Sequence, residues 1–316
     1  MTAPVEVEEI GCPLGCAGGD EFIVTGRDRL HDLPGEFRVV RCRGCGLMRT
    51  TPRPTITSID YYYPADYRPY LTTRVSQDAP PPPTAAVGPV RRAIRRLLRP
   101  MNHEIPETTP GRMLEIGCGS GAFLQEMHRR GWSVEGIERS PDAGAAARAL
   151  GYPVHIGPLE TAPDPPAPYD LVVGWMVLEH LHHPIAALER LGRWSAKGAW
   201  LVASVPDASA YEFRLFRDAW FALAVPGHLF HFTPRTLGLV LERAGWRLER
   251  VMWHRNPNNL LLSARYRLLE RGWTGTAEAL QEVADEKRLP RARLILGTLL
   301  GTLRSSGRMT IWARRA

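Results

Sequence analysis

The stretch LEIGCGSGAFL, residues 114–124, constrains this chain more than any other. Upstream, RMLEI has the continuous apolar character of a buried strand, and downstream AFLQEMHRR has helical periodicity. Between them stand Gly117, Gly119 and Gly121, which allow a tight turn and close backbone approach to a ligand. A strand that turns into a helix through such glycines is a small-molecule cradle, and Glu115 sets a carboxylate beside it. The spacing is GxGxG. The dinucleotide fingerprint needs GxGxxG, so a bound dinucleotide is not implied. An ordinary strand-to-helix turn is the simpler alternative.

The same alternation continues along the chain. SVEGIE reads as a second strand, DAGAAARAL as a second helix, PVHIG as a weaker third strand and YDLVVGW as a strong fourth. IAALERLGRW is a helix leading into the fifth strand, AWLVASVP. Later segments are helical (TLGLVLERAG), extended (WRLERVMW), two or three helices over 260–304, and a terminal strand (GRMTIWARR). This pattern predicts an α/β fold, a Rossmann-like, seven-stranded, mostly parallel sheet with helices on both faces. It occupies residues 108–316, with an aromatic, histidine-rich cap at 207–235 and a helical insertion at 260–304. With 316 residues and 44% hydrophobic composition, the chain can supply the core that such a sheet requires. Glu138 ends the second strand, where an acid can accept hydrogen bonds from a ribose; a loop acid is the plainer reading.

Four of the five cysteines crowd into the first 45 residues. Cys42 and Cys45 form a CxxC turn followed by Gly46, and Cys12 and Cys16 form a second pair with three intervening residues. Two such pairs around little local core point to one tetrahedral structural zinc held by four thiolates, rather than to a redox pair. Such a site has no open position for catalysis, so its task is to fold and orient. Residues 1–54 are therefore expected to be a small zinc-binding module. Residues 55–107 follow as a linker and amphipathic segment. It holds a tyrosine cluster that runs from Tyr61 to Tyr70, a proline run, and the basic stretch RRAIRRLLRP.

The formal charge of +7 and pI near 9.4 favour acidic partners without selecting one. Neither a basic-aromatic platform nor an RNA-binding module is recognisable, which weighs against nucleic acid. Glu6, Glu8 and Glu9 stand where a secretory signal would be basic, and apolar runs fall short of a membrane span. A cytoplasmic protein is the expectation. The two basic amphipathic stretches, near 91–99 and 290–304, leave peripheral contact with an anionic membrane open.

LEIGCGSGAFL, GIERSPDA and YDLVVGWMVLEHLHHP together resemble the motifs of class I S-adenosylmethionine-dependent methyltransferases. RCRGCGLMRTTPRP, EHLHHP and PGHLFHFTPRTL are similar to a subfamily with a cysteine-rich zinc module that modifies sugars, small metabolites and natural products. The resemblance implies that Gly117, Gly119 and Gly121 pass beneath the methionine part of S-adenosylmethionine, with Glu115 near its amino group and Glu138 on its ribose. Cys118 belongs to the same turn as a small residue. Leu159 would flank the adenine, and Trp175 and Met176 the reactive end.

Methyl transfer to oxygen often requires a nearby base, and histidine is the natural candidate. His180 follows the fourth strand at the carboxyl edge of the sheet, and a solvated helix cap is its alternative reading. His228 and His231 lie in the loop after the fifth strand; His231 is the less secure, falling where many relatives have an aromatic. The aromatics of 211–221 either line an acceptor pocket or pack the cap, and Arg214, Arg217 and Arg235 could meet acceptor phosphates. The expected activity is methylation of a hydroxyl on a small metabolite, sugar or natural-product intermediate. N- or C-methylation and a noncatalytic binding module are the alternatives. The oligomeric state is not legible.

Overall fold

The computed structural model describes residues 5–63 and 103–316, so Tyr67, Tyr70, the proline run and the basic RRAIRRLLRP stretch lie outside the described residues. The N-terminal part holds β1 (Val7–Glu8), β2 (Asp20–Arg27), β3 (Glu36–Cys42), β4 (Met48–Thr50) and β5 (Arg53–Pro54). The large sheet begins with β6 (Arg112–Ile116), β7 (Ser133–Glu138), β8 (Val154–Ile156) and β9 (Tyr169–Trp175). It continues with β10 (Ser195–Pro206), and after β11 (Phe230–His231) come β12 (Trp246–Trp253) and β13 (Arg308–Arg315).

The seven strands lie in the order β12-β13-β10-β9-β6-β7-β8. Strands β6 to β10 pair in parallel, whereas β13 runs antiparallel to both β10 and β12. Parallel strands are covered on both faces and read as unbroken apolar runs, which is the burial of Leu171, Val172 and Val173 in β9. Because successive side chains alternate, Met113, Leu171, Val173 and Val202 enter one core while Leu114, Val172, Leu201 and Ala203 enter the other.

The flanking helices are α1 (Ala122–Arg129), α2 (Pro141–Ala149), α3 (Pro184–Trp194), α4 (Tyr211–Phe216) and α5 (Pro234–Arg243). Each of α2, α3 and α5 begins with proline in its first turn, where the missing N–H costs nothing. Ser140 caps α2, and Thr233 with Thr236 forms a capping box on α5. Between β12 and β13 stand α6 (Asn258–Glu270), α7 (Thr274–Ala284) and α8 (Pro290–Thr302). No helix among the described residues is long and apolar enough to cross a membrane.

The sheet formed within residues 1–54 is completed by a strand from the cap. The sheet of β2, β3 and β4 takes its fourth strand, β11, from the cap, with Phe230 opposite Arg49 and His231 opposite Met48. Val39, Leu47 and Met48 belong to the same core as Val172 and Leu201. Arg53, only 2% exposed, bonds Glu8 at 2.8 Å and the carbonyl of His182 at 3.0 Å. Docking on the cap thus extends the core of this sheet into that of the large one.

Candidate active site

At the carboxyl edge of the large sheet opens a cleft of about 1180 Å³. Gly117, Gly119, Glu115 and Glu138 line one end of it, and Trp175 and Met176 line its middle. Gly117 (φ +68°), Gly119 (φ +53°) and Gly121 (φ +87°) all occupy the left-handed region. At Gly117 a Cβ would also stand 2.6 Å from Val177 Cγ2, so both conformation and space require glycine there.

The acid at the end of β7 locks this turn. Glu138 accepts from the Gly119 N–H at 2.7 Å with one oxygen and from the Ser140 N–H at 2.8 Å with the other. Each oxygen keeps a further lone pair for a ligand. Burial raises the pKa of Glu138, against the opposing backbone N–H bonds. Glu115 is more deeply placed: burial, then the Glu138 charge, raises its pKa well above the ordinary carboxylate range. Its Oε2 is buried with no hydrogen-bond partner among the described residues. A cationic ligand group is the chemistry that such an atom needs.

Other predicted cofactor residues differ in position. Leu159, Trp175 and Met176 line the cleft; Cys118 and Gly121 are not among its lining residues. Cys118 turns its sulfur into the core under Gly136, where burial and the charges of Glu115 and Glu138 raise the thiol pKa. That is a packed thiol, not a nucleophile. Gly121 caps α1 and packs against Ala147. Trp175 meets His103 in a tilted contact at 4.7 Å and Phe123 edge-to-face at 5.1 Å between centroids.

His180 and His228 meet at the far side of this middle region, with ring centroids 4.7 Å apart. His180 Nδ1 lies 2.9 Å from the Gly227 carbonyl and 2.8 Å from the Tyr63 hydroxyl, and His228 Nδ1 lies 2.8 Å from the Ala222 carbonyl. A carbonyl only accepts, so each Nδ1 carries the proton and each Nε2 holds a lone pair. Burial lowers both pKa values, that of His180 to about 4 and that of His228 well below the ordinary imidazole value. Both rings are therefore neutral at physiological pH.

His231 stands apart from the candidate catalytic set. It belongs to β11, its Nε2 is 3.1 Å from Thr50 Oγ1, and it does not line the cleft. Arg214, Arg217 and Arg235 also lie outside the cleft lining. Among the cap aromatics, Trp220 and Phe221 line the cleft, Phe213 and Phe216 pack the core, and Tyr211 is exposed.

Sequence reasoning did not single out Tyr63, His103, Glu179, Arg265 or Arg308. Glu179 is fully buried beside the histidine pair, and neither carboxylate oxygen has a hydrogen-bond partner among the described residues. Burial pushes its pKa up to about 8. Its neighbour His180 carried a sequence signal; Arg308, remote in sequence, carried none.

Away from the cleft, the sulfurs of Cys12, Cys16, Cys42 and Cys45 all lie within 4.8 Å of one another. The extra residue of the first pair is absorbed by a turn in which the Gly15 N–H bonds the Cys12 carbonyl at 3.0 Å. At Gly44 a Cβ would stand 2.9 Å from Cys16 Cβ, so that position also requires glycine. Burial opposes ionisation of Cys42, but the N–H groups of Cys45 and Gly44 bring its thiol down to about 7. Four converging thiols, one of them poised to ionise near neutrality, can chelate a metal ion.

A glycine turn at the carboxyl edge of a parallel sheet, with an acid ending the next strand, defines a nucleoside-binding α/β enzyme. A family model described as a methyltransferase domain matches residues 89–251, more than half of the sequence, and the chain belongs to that family as an S-adenosylmethionine-dependent methyltransferase. It is 26% identical over 188 residues to a ubiquinone biosynthesis O-methyltransferase of Xanthomonas euvesicatoria, covering 55% of this chain and 75% of that one. The corresponding protein of Paracidovorax citrulli is 26% identical over 112 residues, covering 33% of this chain and 47% of that one. The chain thus spans three quarters of the first relative and about half of the second. A crystal structure of an S-adenosylmethionine-dependent methyltransferase from Mesorhizobium loti is similar with a TM-score of 0.44 at 20% identity, covering 71% of this chain and 96% of that one. One from Archaeoglobus fulgidus gives 0.43 at 18%, covering 71% and 92%.

Proposed function

We propose that this chain methylates a hydroxyl of a small acceptor, a sugar or another hydroxylated metabolite, with His180 or His228 as the base. The observation that carries this reading is the histidine pair: two buried, neutral imidazoles in one cleft, each with Nδ1–H tied to a backbone carbonyl and Nε2 left to accept a proton. An acceptor amine that is already unprotonated has little use for such a pair, and a hydroxyl does. The name O-methyltransferase on the curated relatives agrees with oxygen as the acceptor atom.

When bound, S-adenosylmethionine supplies an electrophilic methyl on a sulfonium. Glu115 would hold its ammonium and Glu138 its ribose hydroxyls through the remaining lone pairs. The backbone at Gly117 and Gly119 would receive the methionine portion, Leu159 the adenine, and Trp175 and Met176 the reactive end. At the acceptor, Nε2 of one histidine would take the hydroxyl proton as the oxygen bonds to the methyl and the methyl–sulfur bond breaks, its electron pair staying on sulfur in the departing thioether, S-adenosylhomocysteine. Glu179 stands within reach of the imidazolium that results, and its ionisation offsets the cost of a buried cation. We assign the four cysteines to a structural zinc that holds the β2–β4 sheet against the cap.

Calorimetry with S-adenosylmethionine tests the cofactor half. Glu138→Ala should weaken binding by on the order of tenfold to a hundredfold, the worth of its charge-assisted bonds. A labelled-methyl screen over sugars, phenols and amines identifies the acceptor atom. Replacing His180 or His228 by Ala should then lower kcat on the order of a hundredfold for the residue that is the base. Undiminished rates in both variants rule out a histidine base, and a label found on nitrogen rules out O-methylation.

A further inference from the structure

We propose that the acceptor carries an anionic group, a carboxylate or a phosphate monoester, and that Arg308 with Arg265 receives it. This deepens the methyl-transfer reading by naming the substrate class, and it rests on that reading only for the identity of the cleft.

Five arginines line the cleft: Arg27, Arg29, Arg139, Arg265 and Arg308. Three are already engaged. Arg27 pairs with Asp32 at 2.9 Å, Arg29 with Asp218 at 2.7 Å and Glu270 at 2.6 Å, and Arg139 with Asp60 at 2.7 Å. Arg265 Nε is buried without a hydrogen-bond partner. Neither Arg265 nor Arg308 has a side-chain hydrogen bond or ion pair among the described residues. A guanidinium offers five N–H donors in a planar fork that matches carboxylate and phosphate. Both guanidinium groups line one cleft and neither has a protein acceptor among the described residues, so their accessible N–H donors are available to an anion.

The placement of Arg308 follows from sheet topology. The strand β13 runs against its neighbours, so its first residue stands where they end: Arg308 pairs with Pro206, the last residue of β10. The carbonyl of Arg308 accepts from the His254 N–H at 3.0 Å, and the adjacent Gly307 carbonyl accepts from Asn259 Nδ2 at 2.8 Å. Two residues on, Thr310 Oγ1 lies 2.7 Å from His254 Nε2. The backbone is thereby fixed before any ligand arrives, which lowers the ordering cost of binding.

The surrounding charges explain how the protein tolerates Arg308. Burial lowers its pKa, while Glu179 and Glu212, both buried, raise it through their fields. Neither is within ion-pair distance, so they steady the cation without occupying its donors. Arg308 in turn acts on His228 and on His103, the ring tilted against Trp175. Arg308, His228 and His103 all line the same cleft, so an acceptor lying in it can meet the anion site and a histidine together.

The test is titration calorimetry at matched ionic strength, using benzoate, its neutral isostere benzamide, and inorganic phosphate as probes. Each is titrated into the full chain, alone and with S-adenosylhomocysteine bound. Wild-type protein should bind benzoate or phosphate and reject benzamide; the anion that binds separates carboxylate from phosphate recognition. Arg308→Met should weaken that anion on the order of tenfold to a hundredfold. Arg308→Lys, which keeps the charge and loses the fork, should fall between. Equal binding of benzoate and benzamide without phosphate binding overturns the proposal, and so does unchanged anion affinity in Arg308→Met. The wild-type probe comparison decides even if the variants fail to fold. Loss of S-adenosylhomocysteine binding would strike the methyl-transfer reading instead, and the titrations on the chain alone would still judge the anion site.

Discussion

The two ends of the cleft are built by different means. At the proposed cofactor end, one continuous run from Glu115 to Ser140 supplies turn, acid and cap, and its key contacts use backbone N–H groups. At the acceptor end, Tyr63, His103, His180, His228, Arg265 and Arg308 come from distant parts of the chain and act through side chains. The first arrangement is inherited from the sheet itself. The second exists only when cap, N-terminal sheet and insertion dock together, so its integrity depends on contacts far from the cleft.

Metal removal should expose that difference most strongly. Chelation, or Cys42→Ser, is expected to cost about 4 kcal/mol of stability, because binding energy at a structural metal site is folding energy. Hydrogen exchange should rise across 20–50 and 222–231, where the N-terminal sheet pairs with β11, and stay slow across 112–138. Affinity for S-adenosylmethionine should survive. Equal loss at both ends would break the distinction between them.

Gly117→Val attacks the opposite end. Its Cβ must displace Val177 from 2.6 Å while the backbone holds φ at +68°, and strain plus overpacking come to about 3 kcal/mol. S-adenosylmethionine affinity should fall about a hundredfold by calorimetry, with the N-terminal sheet still protected from exchange. Retained affinity would show that the turn is not the cofactor cradle.

The same contrast explains what was legible in the sequence. Buried parallel strands are written as local apolar runs, and a glycine turn with its acid is written within 25 residues, so the large sheet and the Glu115–Glu138 region could be read directly. A strand carries no mark of its direction, so nothing in GRMTIWARR placed Arg308 at the cleft. Tyr63 and His180 meet across 117 residues, a pairing that only the packed fold creates. The four cysteines were legible as a cluster, whereas the dependence of their sheet on β11 was not, because a two-residue strand leaves no periodic signal.

Protonation offers a finer test of the acceptor end. His180 has a folded pKa lowered to about 4, and His231 and His254 are lowered to about 3, all by burial first. Their contribution to stability is full above the unfolded value of about 6.5 and is lost as pH falls toward those folded values. Glu179 and Glu212 run the other way. Burial raises them to about 8 and about 7, so their contribution is full below the unfolded carboxylate value and is lost as pH rises through that range. Between about pH 6.5 and 8 these histidines no longer contribute to the slope, and Glu179 should cost about 2 kcal/mol over that interval. Urea denaturation at both pH values should show the decline in wild type and a shallower one in Glu179→Gln. An unchanged slope would mean that Glu179 is already ionised.

The smallest effect belongs to the histidine that lies outside both ends. His231 holds Thr50 across the β4–β11 pair, and Thr50 Oγ1 also donates to the His228 carbonyl at 2.8 Å. His231→Gln should therefore lower stability by about 1 kcal/mol, the net worth of one buried hydrogen bond. It should leave kcat unchanged, whereas the same substitution at His228, a cleft-lining residue, lowers kcat where His228 rather than His180 is the base. One residue couples to the reaction through its own nitrogen and the other only through the frame that carries it, so thermal melts and single-turnover rates should separate them. If His231→Gln lowered kcat as much as His228→Gln, the N-terminal sheet would have to be counted as part of the reacting geometry, and the division between a frame and an acceptor site would fail at the strand where the two are joined.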